Sequence, residues 1–145
     1  MRVGRKGLCM DDLSISSKVA AAGMKAQATR LRVIAENLAN ADSTSEVAGG
    51  DPYRRKLVTF RNALDRELEA ETVKVKRIYN DRSELDTKYD PAHPAADENG
   101  YVLQPNVNPL IEMMDMREAQ RSYEANMNVI TTSRQMMAKT LELLK

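Results

Sequence analysis

Residues 107–144 read VNPLIEMMDMREAQRSYEANMNVITTSRQMMAKTLELL and decide the fold. Asn108 stands where a helix N-cap is expected, and Pro109 follows at the first helical position, where its missing N–H donor costs nothing. From Leu110 to Leu144 there is neither glycine nor proline. The stretch therefore predicts one unbroken helix about 50 Å long, at a rise of about 1.5 Å per residue.

Apolar residues recur along this helix at alternating steps of four and three. The row, which has one charged interruption, comprises Tyr123, Met127, Ile130, Arg134, Met137, Leu141 and Leu144. Such spacing is typical of a coiled-coil face. We therefore expect the C-terminal helix to pack lengthwise against another helix.

A second long helix is predicted near the N-terminus, over residues 13–41. This segment lacks proline, is rich in alanine and contains a single glycine, Gly23. Its apolar residues form two rows, an early one of Ile15, Val19, Ala22 and Ala26 and a second of Met24, Leu31, Ile34, Leu38 and Ala41. Two rows need more covering surface than one partner helix provides, so we expect assembly with further subunits.

Two asparagines lie among the apolar positions at the end of this helix. Asn37 and Asn40 are three residues apart, which places them on one side of a helix. They are interpreted either as the residues that end the helix or as a hydrogen-bonding pair at a helix–helix contact.

The middle of the chain changes to strand-like patterns separated by loops. Short alternating runs at 53–60 and 73–79 predict strands, and one or two helical turns are expected over 63–70. Asn99 and Gly100 precede Tyr101, and this pair favours a type I′ hairpin turn and a small β element.

The predicted fold class is mainly α, with two long terminal helices forming a coiled coil and a small β-containing insert between them. The predicted organisation is an N-terminal extension over 1–12, the first helix over 13–42, the insert over 43–106 and the second helix over 107–145.

Composition excludes most site chemistry. The 145 residues include 22 Lys and Arg against 21 Asp and Glu, with one Cys and one His. A disulfide within the chain and a Cys/His zinc site are therefore ruled out. With five Tyr, one Phe and no Trp, few rigid aromatic rings are available to line a ligand pocket. We expect no cofactor, no metal and no small-molecule substrate.

Two other function classes fit the sequence less well. An enzyme would use Glu84, Asp86, Asp90 and Asp97 as acid and base, but so short an insert can hardly build the necessary pocket. The alternative function is a small helical nucleic-acid-binding adaptor that uses the basic clusters at 54–56 and 74–77, and the net charge of +1 argues against it. Asp97, Asn99 and Gly100 resemble part of a calcium loop, yet Ala95 and Asn106 stand where ligands are required, which favours a turn.

The N-terminus carries no pattern of a cleaved signal peptide. Residues 1–9 are basic, and Asp11 and Asp12 follow where an apolar segment would be needed. Met10 is a second candidate for the start of translation. No stretch has the roughly 18 consecutive apolar residues of a membrane helix, so no transmembrane segment is predicted.

Several motifs resemble the bacterial flagellar rod proteins. The first half carries NLANA at 37–41 and PYRRK at 52–56, and the second half carries YDPAHP at 89–94, DENGYV at 97–102 and PNVN at 105–108. The run Arg121, Ser122, Tyr123, Asn126, Val129, Thr132, Met136, Met137, Thr140 and Leu141 extends the resemblance, which is greatest to the proximal rod.

The resemblance implies a structural subunit and no enzyme. Proteins of this family are exported by the flagellar type III apparatus without a cleaved signal, and they polymerise with other rod proteins and with copies of themselves. The product is an axial rod in the basal body that crosses the periplasm, transmits torque and encloses the export channel. The terminal helices form its inner layer, so the expected assembly interface comprises Leu31, Ile34, Asn37, Leu38, Asn40, Tyr123, Asn126, Met127, Ile130, Met137, Leu141 and Leu144.

Overall fold

The computed structural model describes residues 10–143, with two long helices flanking a small β insert. The predicted extension therefore lies largely, and Leu144 entirely, outside the described residues. The elements in order are α1 (Met10–Ala39), β1 (Lys56–Asp65), β2 (Ala70–Asn80), β3 (Thr87–Tyr89), β4 (Tyr101–Leu103) and α2 (Pro109–Glu142). Neither described helix has the apolar length that a membrane crossing requires.

Helix α2 begins where its capping residues predict. The Asn108 side-chain Oδ1 accepts hydrogen bonds from the backbone N–H groups of Leu110, at 3.0 Å, and Ile111, at 3.4 Å. These bonds satisfy two of the N–H groups that have no partner inside the helix. The prediction of an unbroken helix opened by Asn108 and Pro109 is confirmed.

The four strands within residues 10–143 form two separate two-stranded sheets. β1 and β2 pair with each other and are joined by residues 66–69, so they form a hairpin. The helical turns expected over 63–70 are wrong, because this segment contains the end of β1, the turn and the first residue of β2. Cross-strand contacts replace the local helical ones, as when Thr72 Oγ1 donates to the Ala63 carbonyl at 2.9 Å.

The second sheet pairs β3 with β4 in antiparallel fashion, with Tyr89 opposite Tyr101. The small β element predicted at Tyr101 is confirmed, but the type I′ turn is wrong. A type I′ turn needs positive φ at both central residues, whereas Gly100 has a φ of 81° and Asn99 does not share that conformation. The Asp97 carboxylate holds this turn by accepting from the N–H groups of Asn99, at 2.9 Å, and Tyr101, at 2.8 Å.

The chain divides into two compact units, and both long helices contribute to each. The structure describes residues 10–29, 60–76 and 119–143 of the first unit. The second unit comprises Arg30–Thr59 and Arg77–Glu118. Their buried apolar residues differ, being Ala20, Ala26 and Ala119 in the first unit and Val33, Ile34, Ala95, Val102 and Val107 in the second.

Candidate assembly site

Asn37 is the centre of a buried polar cluster in the second unit. Its side chain is 1% exposed. Oδ1 accepts from the Tyr53 hydroxyl at 2.9 Å and from the Lys56 backbone N–H at 2.8 Å. Nδ2 donates to the Lys56 carbonyl at 2.9 Å and to Glu112 Oε2 at 3.1 Å. Two donors and two acceptor positions are thus all used, and Asn37 holds the start of β1 much as a neighbouring strand would.

Glu112 joins this cluster from helix α2. Its carboxylate is also 1% exposed, and Oε1 accepts from Arg55 Nε at 2.6 Å. Arg55 reaches on to Asp115 at 3.4 Å, and Asp115 pairs with Arg30 of α1 at 3.2 Å. Because Asn37 meets Glu112 while Arg30 meets Asp115, the parts of α1 and α2 in this unit run antiparallel.

The Tyr53 hydroxyl is electrostatically tuned to remain a donor. Burial, and then the negative charges of Glu36 and Glu112, raise the pKa of Tyr53 to about 12. A neutral phenol is the form that can donate to the Asn37 amide oxygen. The cluster therefore keeps this hydrogen bond well above neutral pH.

The basic cluster at 54–56 pairs with acidic groups of the same chain. Arg54 lies 3.9 Å from Asp51, Arg55 binds Glu112, and Lys56 contacts the Glu36 carboxylate. Arg55 in particular is directed at acidic groups of the same chain and not at solvent. Its side chain is 22% exposed and faces two carboxylates.

Asn40, the second predicted asparagine, lies just after α1 and makes its side-chain hydrogen bonds locally. Nδ2 donates to the Glu36 carbonyl at 2.8 Å, and Oδ1 accepts from the Ser43 hydroxyl at 3.3 Å. Of the two interpretations, helix termination describes Asn40 and a helix–helix hydrogen bond describes Asn37.

Helix α2 carries a regular row of buried and half-buried residues within the first unit. Tyr123, Ile130 and Met137 of the predicted seam belong to this row, and Asn126 lies between them. Met127 is 46% exposed and Leu141 is 51% exposed, while Arg134 is also exposed. The covered row thus continues through the smaller side chains of Ala119, Asn126, Ser133 and Thr140.

The Asn126 side chain leaves no room for a larger residue at the facing position of α1. A Cβ atom added to Gly23 of α1 would lie 3.0 Å from Asn126 Nδ2, which is closer than ordinary contact. The same amide nitrogen donates to the Ser122 carbonyl at 3.0 Å. Gly23 therefore permits a close approach of the two helices in this unit.

The predicted contact residues of α1 are covered to different degrees. Ile34 is 5% exposed, whereas Leu31 and Leu38 are half-buried. Further apolar side chains are exposed on α2, and they comprise Leu110, Ile111, Met113 and Met114 in the second unit and Met127, Val129, Met136 and Leu141 in the first. In both units, α2 thus leaves part of its apolar surface uncovered.

The acidic residues considered for an enzyme do not form one group. Asp86 and Asp90 line a cavity of about 360 Å³ together with Lys88 and His93. Glu84 and Asp97 do not line it, and the Asp97 carboxylate is used in the turn before β4. Over the described residues, no group of three or more His, Cys, Asp or Glu side chains is placed to hold a metal ion.

The sequence does not predict this cluster as a unit, because its members are distant along the chain. Asn37 and Glu112 are 75 positions apart, and Arg55 and Glu112 are 57 apart. The available signals were an acidic residue in the first turn of α2 and the PYRRK motif, and neither identifies the partner of the other.

Comparison with known proteins gives a consistent result at both ends of the chain. Residues 18–45 match the family model described as flagella basal body rod protein. Residues 98–143 match the model described as flagellar basal body rod FlgEFG protein C-terminal.

Whole-length relatives carry the description flagellar basal-body rod protein FlgC. The protein of Agrobacterium fabrum is 55% identical over 136 residues, covering 94% of this chain and 98% of the relative. That of Salmonella typhimurium is 42% identical, covering 86% and 92%. That of Bacillus subtilis is 38% identical, covering 90% and 97%.

Proposed function

The chain belongs to the FlgC family of flagellar basal-body rod proteins, and from that membership we propose that it polymerises through its terminal helices into the proximal part of the axial drive shaft. As a rod protein it is a structural subunit of the flagellar basal body. In the proposed assembly, α1 and α2 form a coiled-coil inner layer around the export channel, and the shaft transmits torque across the periplasm. Its neighbours are copies of itself and other rod proteins.

One observation carries this proposal. In the first unit, one row of small and medium-sized side chains on α2 is buried or half-buried. The side chains of Met127, Val129, Met136 and Leu141 remain exposed. Methionine suits a surface that must fit several different neighbours, because its side chain is flexible and polarisable. A subunit whose interfaces are not self-complementary repeats head to tail and builds a helical filament when the rotation does not close.

Delivery is proposed to follow the family. The flagellar type III apparatus exports the subunit without removing a signal peptide, and the helices gain their remaining buried surface when they meet neighbours in the rod. Coupling of folding to assembly keeps the exported chain from polymerising early.

Met127→Asp and Leu141→Asp test this function. Both side chains are about half exposed in the subunit, so the subunit should still fold. In an assembled rod the new carboxylate would be unpaired in a dry contact, at a cost of several kcal/mol. We expect normal export but a loss of intact rods from isolated basal bodies and a loss of swimming.

Asn128→Asp is the matched control, because Asn128 is exposed next to Met127 and the change adds the same charge without removing an apolar side chain. It should leave rods and swimming close to wild type. Normal rods in both aspartate variants would contradict assembly through this face of α2.

A further inference from the structure

The first unit contains an apolar groove between α1 and β2. Its volume is about 320 Å³, and it is lined by Ala22, Lys25, Ala26, Thr29, Val73, Lys74 and Val75. Val73, one of its apolar lining residues, is 39% exposed. Lys25 and Lys74 are both exposed, and neither forms an ion pair with a described residue. The groove therefore combines an apolar lining with two uncompensated positive charges.

The end of the β1–β2 hairpin has the complementary character. Residues 65–71 contain four carboxylates, Asp65, Glu67, Glu69 and Glu71, against one cation, Arg66. None of these charged groups forms an ion pair with a described residue. Leu64, just behind the turn, is 65% exposed. An acidic tip with an exposed leucine is thus suited to a basic apolar groove.

The tip cannot enter the groove of its own chain. Both belong to the same hairpin, since Val73, Lys74 and Val75 follow the turn along β2. A paired strand rises about 3.3 Å per residue, so the turn at 66–69 lies well over 10 Å along the hairpin from the groove. Bending the tip back would break the pairing of β1 with β2.

We propose that the acidic hairpin tip of one copy of this chain docks into the basic apolar groove of a neighbouring copy. In this contact, Glu67 and Glu69 face Lys25 and Lys74 of the neighbour. Leu64 covers the neighbour's Val73. Tip and groove are different surfaces, so the contact repeats head to tail from copy to copy. Opposite charges at such a contact fix register and exclude wrong neighbours.

This inference rests on the proposed function only in requiring that copies be neighbours in the rod. The contact is made by the insert and by α1, and it does not involve the exposed face of α2. Either proposal can therefore fail while the other holds.

Pairwise cysteine cross-linking tests the contact in assembled rods. Cys9 is first replaced by serine, and then Arg66→Cys is introduced into one copy and Thr29→Cys into another, with both copies expressed in the same cell. Neither change removes a charge that the proposal uses. We expect mild oxidation to give an adduct of twice the 16.3 kDa chain mass, and only when both variants are present.

Charge reversal tests whether complementary charges hold the contact. Glu67→Lys with Glu69→Lys, or Lys25→Glu with Lys74→Glu, should lower the adduct severalfold, and the two reversals on opposite copies should restore it. Glu98→Lys, at another exposed position, should leave the adduct unchanged. If the cysteine variants assemble poorly, restoration of swimming by the combined reversals in the chain with native residues 29 and 66 gives the same answer.

Assembled rods without the adduct would overturn the docking and leave the proposed function intact. An adduct between Arg66→Cys or Thr29→Cys and a different rod protein would likewise overturn it, because another occupant would then fill the groove. Loss of the adduct that the combined reversals fail to restore would also count against complementary charge.

Discussion

The two units of the chain are stabilised by different kinds of contact, although the same two helices contribute to both. Among the described residues, every ion pair lies in the second unit, where Asn37, Arg55 and Glu112 form a cluster of directional bonds. The first unit has no such pair between described residues, and its buried apolar side chains are all alanine. The second unit thus specifies its geometry by directional bonds, whereas the first depends on the close packing of small side chains.

The hydrogen bonding of buried amide side chains also differs between the two units. The Gln27 side-chain oxygen in the first unit is buried without a hydrogen-bond partner among the described residues. In the second unit, the buried Asn37 amide has all its partners. Leaving a buried acceptor unpaired costs about 1–3 kcal/mol, so polar satisfaction favours the second unit as the more stable one.

The largest expected effect comes from Arg55→Met. This change leaves the Glu112 carboxylate, 1% exposed, without its cation. Breaking a buried pair in this way costs about 3–5 kcal/mol in unfolding free energy. Arg54→Met is the control, because its partner Asp51 is 78% exposed and such pairs contribute about 0–1 kcal/mol. Urea unfolding of both variants measures the contrast, and equal losses would refute the importance of burial.

Asn37→Leu should cost about 2–3 kcal/mol, because leucine removes the partners of Tyr53, Lys56 and Glu112 at once. The defect appears in the subunit before any assembly. Asn40→Leu should cost less, about 1 kcal/mol, since the Asn40 side chain bonds the end of α1 and Ser43 and has no bond to α2 or β1 among the described residues. If Asn40→Leu were the more damaging change in thermal unfolding, the cluster would not be the main support of this unit.

In the first unit, the stability should depend on side-chain size and not on ion pairs. Gly23→Ala ordinarily gains about 1 kcal/mol of helix propensity, but here the new methyl meets the Asn126 amide. We expect destabilisation in the wild-type background and stabilisation once Asn126→Ala provides room. A double-mutant cycle measures this coupling, for which about 1–2 kcal/mol is expected. Additive effects would show that the helices do not approach closely at Gly23.

The second unit should also show a pH dependence at alkaline pH. Because the pKa of Tyr53 is raised from 10.0 to about 12 in the folded chain, the folded state holds this proton more tightly than the unfolded state. The associated stability is complete below pH 10 and is lost as the pH rises from 10 towards 12. Tyr53→Phe should remove this part of the stability profile, and an unchanged profile in that variant would assign it to other groups.

The sequence predicts those parts of the structure whose interacting residues lie close together along the chain. Helix α2 was predictable because Asn108, Pro109 and the uninterrupted stretch after them act locally. The hairpin end at 63–70 was not, because its alternating charged residues also suit a helix and only cross-strand partners decide. Asn37 had two interpretations for the same reason, since its partner Glu112 lies 75 positions away.

The covered row of α2 shows a second limit. Hydrophobicity alone predicts that Met127 and Leu141 are covered by the neighbouring helix. Both are exposed, and the half-buried residues at the neighbouring positions are Asn126 and Thr140. Close helix packing selects for size, as the contact of Gly23 with Asn126 illustrates. The assembly roles assigned to these residues stay predictions, which the aspartate variants address.

Amide hydrogen exchange tests most directly whether the second unit is held by its own contacts and the first by its neighbours. In the purified monomer, we expect strong protection in the helical residues 30–39 and 109–118, and rapid exchange in 12–29 and 119–143. In isolated rods, the latter two segments should become protected. Strong protection of both in a demonstrated monomer would contradict the account, because the first unit would then be complete without partners.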